Sequence, residues 1–465
     1  MYYNSKKVIK LLIFFELCVI LRLVRKMKRK AMQDLINWKN SDNRKPLLLY
    51  GARQVGKTYL VNKFGREYFD NIIYVNFETN EIVSNIINDN IEPSYIIKNL
   101  EIIFNQKIDK DKTLIFFDEI QENPRALTSL KYFCENAPEY HIIGAGSLLG
   151  VHIKRENYSF PVGKVDIMTI YPLSFDEFLI NTNNELLLEE IRSCYNENRK
   201  INSTSHDKAM DLYKDYLALG GMPEVIVEYI KSNSLITAID IQSEIVDSYR
   251  NDITKYTYYS DANKIITTFN SIPNQLAKEN KKFQYKVIQK GGTSSIFGES
   301  ISWIENAGIA SKCVKTNIGV PLKMFEEIDS FKLYMNDVGL LTNMSKFPLY
   351  LIKNHDAVNK LMIGMLTENY VATALKYNNL NLNYWHNEYQ SEVDFILQST
   401  NGLIIPLEVK ASNHTKSRSL NNYISEYKPK YSIRVSSKNF GFNNNIKSVP
   451  LYAVFCITAD SLDNC

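Results

Sequence analysis

A glycine-rich segment near the start of the chain has the residue types and spacing that bind phosphate groups. Residues 51–58 read GARQVGKT and match the pattern G-x-x-x-x-G-K-[ST] in full. Glycines let the backbone curl so that several N–H groups face a phosphate, and a following helix adds a favourable dipole. We expect Lys57 to reach the reacting β- and γ-phosphates of ATP, and Thr58 to bind Mg²⁺. The predicted binding residues are Gly51, Ala52, Arg53, Gln54, Val55, Gly56, Lys57 and Thr58.

Two acids follow an apolar run that predicts a buried strand. Residues 113–117 read TLIFF, and Asp118 and Glu119 come directly after them. An acid here can bind Mg²⁺, mostly through water, and a second acid can polarise the attacking water as a general base. Acids at strand ends are often simply solvated, but the upstream phosphate-binding segment favours chemistry. We therefore predict that Asp118 is a metal ligand beside Thr58 and that Glu119 is the catalytic base.

Further polar residues are candidates for the same site. Ser147 follows another apolar run, and it could sense the γ-phosphate, position water, or simply cap a helix. Arg53, Arg155 and Lys164 are candidates for a cation that stabilises developing charge, although such residues more often lie at the surface.

The C-terminal part carries a second group of acids. Glu368 lies in a helical segment, and Asp394 and Glu408 lie in consecutive strand-like runs. Glu408 and Lys410 are two residues apart and share one face of a strand. Two carboxylates on adjacent strands can hold Mg²⁺ while a lysine orients water for phosphodiester attack. This arrangement resembles the PD-(D/E)xK nuclease core, with Glu368 as the helix acid; the alternative is a nuclease-like fold used only for binding or assembly.

The hydrophobic pattern predicts an α/β protein with several domains. Strand-like runs at residues 47–50, 72–77, 113–117 and 141–145, with a fifth at 167–171, indicate a parallel sheet buried on both faces. A short helix at 32–38 precedes them. Residues 186–260 are helical, and 261–350 favour a winged helix. The last segment, 351–465, combines a helix at 366–375 with strands at 393–397 and 403–409.

Bulk composition narrows the class of protein. The 465 residues are 45% hydrophobic and 23% charged, as in ordinary globular proteins, and the net charge of +4 is too small to indicate a polyanion partner. The six cysteines form no Cys-x-x-Cys pair, which disfavours a zinc site or disulfide framework and fits a cytoplasmic protein. Residues 1–26 contain a short apolar run that suits a membrane anchor, a packed helix or an upstream extension; we favour an extension before a functional start at Met27.

Six segments in order carry a resemblance to a known family. They are residues 51–58, 117–121, 146–149, 160–165, 171–178 and 220–225. From Met27 to Phe455 the chain resembles a prokaryotic family of AAA-type ATPases, related to the archaeal-type ATPases, with an uncharacterised C-terminal domain. The resemblance implies an AAA-like sheet in residues 27–185 with the phosphate-loop strand central. It also implies a winged-helix-like unit and a restriction-endonuclease-like end.

The sequence thus predicts a cytoplasmic Mg²⁺-dependent ATPase that couples hydrolysis to a nucleic-acid-linked C-terminal domain. DNA or another nucleic acid is the expected partner, and an oligomer is compatible with this function. The alternative is an ATP-dependent switch or scaffold that acts on a protein partner through an inactive nuclease-like domain.

Overall fold

The computed structural model of the protein describes residues 27–147, 149–151, 160–257, 259–353, 360–387, 391–411 and 418–464. Arg155, the predicted N-terminal extension and residues 412–417 lie outside this part. The chain divides into two compact units. The first runs to Tyr171 and includes Asn306–Gly308, and the second comprises Pro172–Glu305 and Ile309–Cys465. The predicted segments 186–260, 261–350 and 351–465 therefore fall in the second unit, apart from residues 306–308.

The first unit contains the parallel sheet that the sequence predicts. Its order is β2-β3-β4-β1-β5, and every strand pair is parallel. The strands are β1 (Leu47–Tyr50), β2 (Asn71–Asn76), β3 (Thr113–Asp118), β4 (His141–Ala145) and β5 (Asp166–Thr169). The helices are α1 (Ala31–Lys39), α2 (Lys57–Tyr68), α3 (Glu81–Asp89), α4 (Pro93–Phe104) and α5 (Pro124–Asn136).

The five predicted strands are confirmed with shifts of one or two residues at their ends. All six residues of β3 are buried, as expected for an apolar strand inside a sheet covered on both faces. The resemblance implied a central strand before the phosphate loop, and β1 is an interior strand between β4 and β5. Parallel pairing brings the carboxyl ends of these strands to one edge of the sheet, where α/β proteins bind ligands.

Helix starts in the first unit have local causes in the sequence. Asn123 caps α5, because its side chain accepts a hydrogen bond from the Ala126 amide and Pro124 occupies the first helical position. Asn80 caps α3 in the same way through the Val83 amide. These caps fix where the chain turns after β2 and β3, and hence where the residues at the strand ends lie.

The second unit combines many helices with a mixed sheet of order β12-β13-β11-β10-β9-β8-β6-β7. Its helices are α6 (Phe175–Asn181), α7 (Glu185–Asn196), α8 (Ser203–Leu219), α9 (Pro223–Ser232), α10 (Leu235–Lys255), α11 (Tyr259–Leu276), α12 (Tyr285–Ile288), α13 (Ser294–Asn306), α14 (Val338–Met344), α15 (Leu349–Lys353), α16 (Lys360–Tyr377) and α17 (Arg418–Tyr427). Its strands are β6 (Ala310–Thr316), β7 (Glu326–Met335), β8 (Asn383–His386), β9 (Glu392–Gln398), β10 (Ile404–Val409), β11 (Ser432–Ser436), β12 (Gly441–Asn443) and β13 (Ile446–Pro450).

One sheet contains strands from residues 261–350 and from residues 351–465, which the sequence pattern assigned to two separate segments. Three helices, α11 to α13, precede the antiparallel hairpin β6–β7, an order compatible with the predicted winged helix. β6 also pairs in parallel with β8 through Val314 and Lys315, so the hairpin extends the sheet of the C-terminal segment. The predicted helix at 366–375 lies within α16, and the predicted strands at 393–397 and 403–409 correspond to β9 and β10.

Across the described residues, no helix is both long and apolar enough to cross a membrane.

Candidate active site

The phosphate loop connects β1 to α2 and its glycines are required by the backbone. Gly56 has φ 89° at the start of α2, and Gly51 has φ 143°. A Cβ at position 51 would also overlap the carbonyl oxygen of Ile170. Position 51 therefore has no space for a larger residue, and the φ of position 56 favours glycine. A helix N-terminus that follows a strand and a glycine-rich loop in this way offers backbone amides to a phosphate group.

Lys57 lies within this loop and is only 7% exposed. Its Nζ donates hydrogen bonds of 2.8 Å to the carbonyl oxygens of Gly51 and Ala52. Burial lowers the pKa of Lys57 to about 8, although Glu119 and Asp118 oppose this shift. The ammonium is thus held by the loop itself and lies where the motif predicts a phosphate contact.

Thr58 and Asp118 come together at the carboxyl edge of the sheet. The Thr58 hydroxyl donates to Asp118 Oδ2 at 2.8 Å, and the Tyr74 hydroxyl donates to the same oxygen at 3.1 Å. Burial raises the pKa of Asp118, while the bonds from Thr58 and Tyr74 and the Glu119 amide act in the opposite direction. A hydroxyl and a carboxylate are hard oxygen donors, which suit Mg²⁺. The residues present therefore fit the predicted ion.

Glu119 takes an unusual backbone conformation directly after β3. Its φ of 48° and ψ of 44° lie in the left-handed region, which costs a residue with a side chain about 1–3 kcal/mol. Its Oε2 accepts a hydrogen bond of 2.6 Å from Gln121 Nε2 and a longer one of 3.3 Å from Ser147 Oγ. Ser147 follows β4, so the predicted base and the predicted phosphate sensor are neighbours.

The other predicted cations have different surroundings. Arg53 is exposed within the loop. Lys164 pairs with Glu135 on α5 at 2.9 Å, a contact between two partly exposed side chains. A further arginine, Arg29, was not predicted: its guanidinium donates to the carbonyl oxygens of Val55 at 2.9 Å and Tyr171 at 2.6 Å. Arg29 therefore supports the phosphate loop from before α1.

The acid on α16 of the second unit is surrounded by cations. Glu368 accepts hydrogen bonds from Lys281, from the Tyr334 hydroxyl and, at 3.1 Å, from Lys332. The Lys332 side chain is fully buried and also contacts Glu392 Oε1 at 2.6 Å. Burial alone would raise the pKa of Glu368, but the two lysines outweigh it and hold that pKa well below its usual range.

The two strand acids lie on the adjacent strands β9 and β10, as the sequence implied. Asp394 Oδ2 accepts the Val409 amide at 2.7 Å, and Lys410 Nζ lies 2.6 Å from Glu408 Oε1. Burial and the neighbouring Glu408 raise the pKa of Asp394. Among the described residues, no group of three or more His, Cys, Asp or Glu side chains is arranged to hold a metal ion. Lys281 and Lys332 already neutralise Glu368 from within the chain, and the metal-binding roles of Glu368, Asp394 and Glu408 stay predictions.

Sequence reasoning missed four residues around the phosphate loop and the second acid group. Tyr74 contacts Asp118 at the end of β3 and Gln121 contacts Glu119 directly after it, yet their positions in sequence are ordinary for a strand and a turn. Gln121 ends the FDEIQ segment that carried the family resemblance, which was the available signal. Arg29 and Lys332 lie 26 and 36 residues from their respective partners Val55 and Glu368, so no local pattern links them.

Comparison with known protein families gives matches in three parts of the chain. An AAA domain family matches residues 43–179, and two domains of unknown function, DUF8612 and DUF4143, match residues 210–349 and 363–454. Comparison with curated proteins gives no match. The AAA domain match includes the phosphate loop, Asp118 and Glu119, and it agrees with the nucleotide-binding geometry described above.

Several solved structures are similar at low identity. The Aeropyrum pernix ORC1 protein in complex with DNA is 12% identical, covering 69% of this chain and 92% of that chain, with a TM-score of 0.28. The Thermotoga maritima RuvB Holliday junction branch migration motor is 13% identical, covering 62% and 93%, with a TM-score of 0.31. The Aeropyrum pernix ORC2 protein in its ADPNP–ADP complexes is 10% identical, covering 63% and 86%, with a TM-score of 0.33.

Proposed function

We propose that the first unit hydrolyses ATP in a Mg²⁺-dependent reaction. The observation that carries this proposal is the convergence of the phosphate loop with two strand-end acids. Thr58 contacts Asp118 directly, and Glu119 follows Asp118 with its own amide 3.1 Å from Asp118 Oδ1. A phosphate-binding loop, a metal-binding oxygen pair and a base thus lie within one network.

Each residue has a defined role in this reaction. Lys57 and the loop amides bind the β- and γ-phosphates, and Thr58 and Asp118 hold the metal ion. When bound, Mg²⁺ neutralises negative charge on the phosphates. Glu119 accepts a proton from the attacking water while the oxygen of that water bonds to the γ-phosphorus. The bond between the γ-phosphorus and the bridging oxygen breaks, and ADP leaves with that oxygen. Ser147 orients the γ-phosphate or the water.

A phosphate-release assay tests this proposal. The full chain is incubated with ATP in the presence of Mg²⁺, and again with excess chelator. We expect turnover that requires the ion and that Thr58→Ala reduces strongly, since this variant removes one of the two oxygen donors. Absence of ATP turnover in the folded parent protein, with or without added nucleic acid, would contradict the proposal.

We further propose that hydrolysis is coupled to nucleic-acid binding by the second unit. The order of three helices and a hairpin supports this, and so do the exposed lysines Lys282, Lys286 and Lys290 around α12. Lysines at an exposed surface bind phosphates in a salt-dependent manner, with a slope of roughly −0.9 in log K against log salt for each phosphate neutralised on duplex DNA.

The test is ATP turnover with and without duplex DNA, single-stranded DNA and RNA. We expect nucleic acid to stimulate turnover, and the double substitution Lys286→Ala, Lys290→Ala to reduce both the stimulation and the salt slope. Lys208→Ala is the matched control, because Lys208 is an exposed lysine on α8 of the same unit. Turnover that no nucleic acid changes would contradict the coupling.

One observation favours a second function, in which the C-terminal domain is an inactive nuclease-like scaffold acting on a protein partner. Lys281 and Lys332 neutralise Glu368 from within the chain, which removes the need for a metal ion there. A cleavage assay on DNA and RNA with Mg²⁺ or Mn²⁺, together with calorimetry of ion binding, separates the two. Cleavage that Asp394→Ala or Glu408→Ala abolishes would contradict the scaffold function.

A further inference from the structure

The side chain of Gln121 contacts Glu119, the predicted catalytic base, and no role in the proposed hydrolysis has so far been assigned to Gln121. Gln121 lies in the short turn Ile120–Glu122 and is 5% exposed. Its Nε2 lies 2.6 Å from Glu119 Oε2. A carboxylate can only accept hydrogen bonds, so the nitrogen of the amide must be the atom that faces Glu119.

The surroundings fix the amide in this orientation. A Cβ at position 146 would overlap Gln121 Oε1, so Gly146 provides the space that this oxygen occupies. The oxygen is buried and has no hydrogen-bond partner among the described residues. Leaving a buried carbonyl oxygen such as Gln121 Oε1 without a partner costs about 1–3 kcal/mol. The same orientation of the amide directs its nitrogen, a hydrogen-bond donor, to Glu119.

The donors on Glu119 reach only one of its two oxygens. Gln121 and Ser147 both donate to Oε2, and in the described part of the chain no hydrogen bond is made to Oε1. Holding Oε2 from one side leaves Oε1 to accept the proton of a water molecule. The Gln121 bond, at 2.6 Å, is much the shorter of the two, and its donor is buried.

We propose that Gln121 is a positioning residue that holds Oε2 of Glu119 so that Oε1 faces the attacking water. This inference rests on the proposed ATP hydrolysis. Ser147 is the weaker donor, so its hydroxyl can turn to the γ-phosphate while Gln121 keeps the base in place. The left-handed backbone conformation of Glu119 and the hydrogen bond from Gln121 both orient the same carboxylate.

Kinetics of Gln121→Leu and Gln121→Asn test the inference, with ATP affinity measured separately by a fluorescent analogue. Gln121→Leu removes the donor at similar size, so we expect kcat to fall by at least about tenfold while the Kd for nucleotide stays near that of the parent. Gln121→Asn keeps a shorter donor and should recover part of the rate. Gln33→Leu, the same change on the exposed face of α1, is the control and should turn over like the parent.

A double-mutant cycle with Glu119→Gln adds a second readout. Because Gln121 acts through Glu119, Gln121→Leu should cause little further loss in the Glu119→Gln background. A Gln121→Leu protein with parental kcat overturns the inference and leaves ATP hydrolysis intact. Joint loss of binding and rate, or equal losses in the Leu and Asn variants, assigns Gln121 a structural role and also overturns it. A parent protein without turnover overturns the proposed hydrolysis itself.

Discussion

Buried acidic residues have opposite kinds of neighbours in the two units of this chain: hydroxyl groups in the first and lysines in the second. Asp118, the last residue of β3, faces the hydroxyls of Thr58 and Tyr74, which leave its charge available to an external cation. Glu368, on α16, faces Lys281 and Lys332, which neutralise it from within the protein. In this chain, the acid whose direct hydrogen-bond donors are hydroxyls suits a metal ion, whereas the acid that contacts two lysines is already paired with cations.

The largest effect is expected at Lys57. Replacing Lys57 by Ala removes the buried ammonium that the loop carbonyls hold, and we expect kcat/KM for ATP to fall by about 100- to 1000-fold. The variant should remain folded, because the lysine contributes charge at the phosphates and little core packing. Thermal unfolding and phosphate release measured on one preparation check this. If a folded Lys57→Ala protein hydrolyses ATP at the parental rate, the first unit does not use this lysine to bind phosphate, and the contrast between the two units no longer holds.

A change at Lys332 should affect stability and not nucleotide binding. Lys332→Met leaves Glu368 buried with one cation fewer, and breaking such a buried pair costs about 3–5 kcal/mol. Denaturant unfolding measures the free energy of unfolding, and ATP affinity is measured beside it. Adding Glu368→Leu should recover much of the loss, because the uncompensated carboxylate is then gone. An unaltered free energy of unfolding in Lys332→Met would mean that the lysine does not neutralise this acid.

The pH dependence of nucleotide affinity sharpens the account of Lys57. With a pKa of about 8 in the free protein, Lys57 is charged below pH 8 and loses its proton as the pH rises through that value. Bound phosphates favour the ammonium, so binding above pH 8 must take up a proton. The Kd should therefore rise by up to about tenfold per pH unit above pH 8 and be insensitive to this group below it.

Lys57→Arg is the control for that pH series, because a guanidinium keeps its charge throughout the range. Its Kd should lack the rise above pH 8. A parent Kd that is flat from pH 7 to pH 10 would contradict the proton uptake assigned to Lys57.

The smallest effect is expected when the strand acids of the second unit are changed. Asp394→Asn together with Glu408→Gln should leave basal ATP turnover within about twofold of the parent, because sites without shared partners act independently. The measurement is phosphate release in the absence of nucleic acid. A loss of basal turnover in a folded double variant would show that the two sites are coupled and would break the comparison.

The sequence predicts the first unit well because its signals are local. The motif at residues 51–58 specifies a strand, a loop and a helix in one continuous segment, and the parallel sheet then brings Asp118 to the same edge. The apolar runs also predict β1 to β5. The contact between Gln121 and Glu119 depends on the left-handed backbone conformation of Glu119 and on the space that Gly146 leaves for the Gln121 side chain. The hydrophobic periodicity of the sequence reveals neither feature.

The second unit is harder to predict because its decisive contacts join distant segments. The spacing of Glu408 and Lys410 predicts that they share one face, and their side chains pair, although Lys410 lies directly after the end of β10. Lys332, on β7, lies in the same sheet as the C-terminal strands because the β6–β7 hairpin joins that sheet through β8, and Lys281, which precedes α12, contacts Glu368 from a distant part of the sequence. The roles of Asp394, Glu408 and Lys410 in cleavage stay predictions.

ATP turnover and nucleotide occupancy in Glu119→Gln test the central claim most directly. The substitution preserves size and one acceptor oxygen but removes the base, so we predict that kcat falls by at least about 100-fold while ATP stays bound with parental affinity. Steady-state phosphate release and quantification of the retained nucleotide give both values from one preparation. A Glu119→Gln protein that hydrolyses ATP at the parental rate would contradict the claim that Glu119 activates the water in this site.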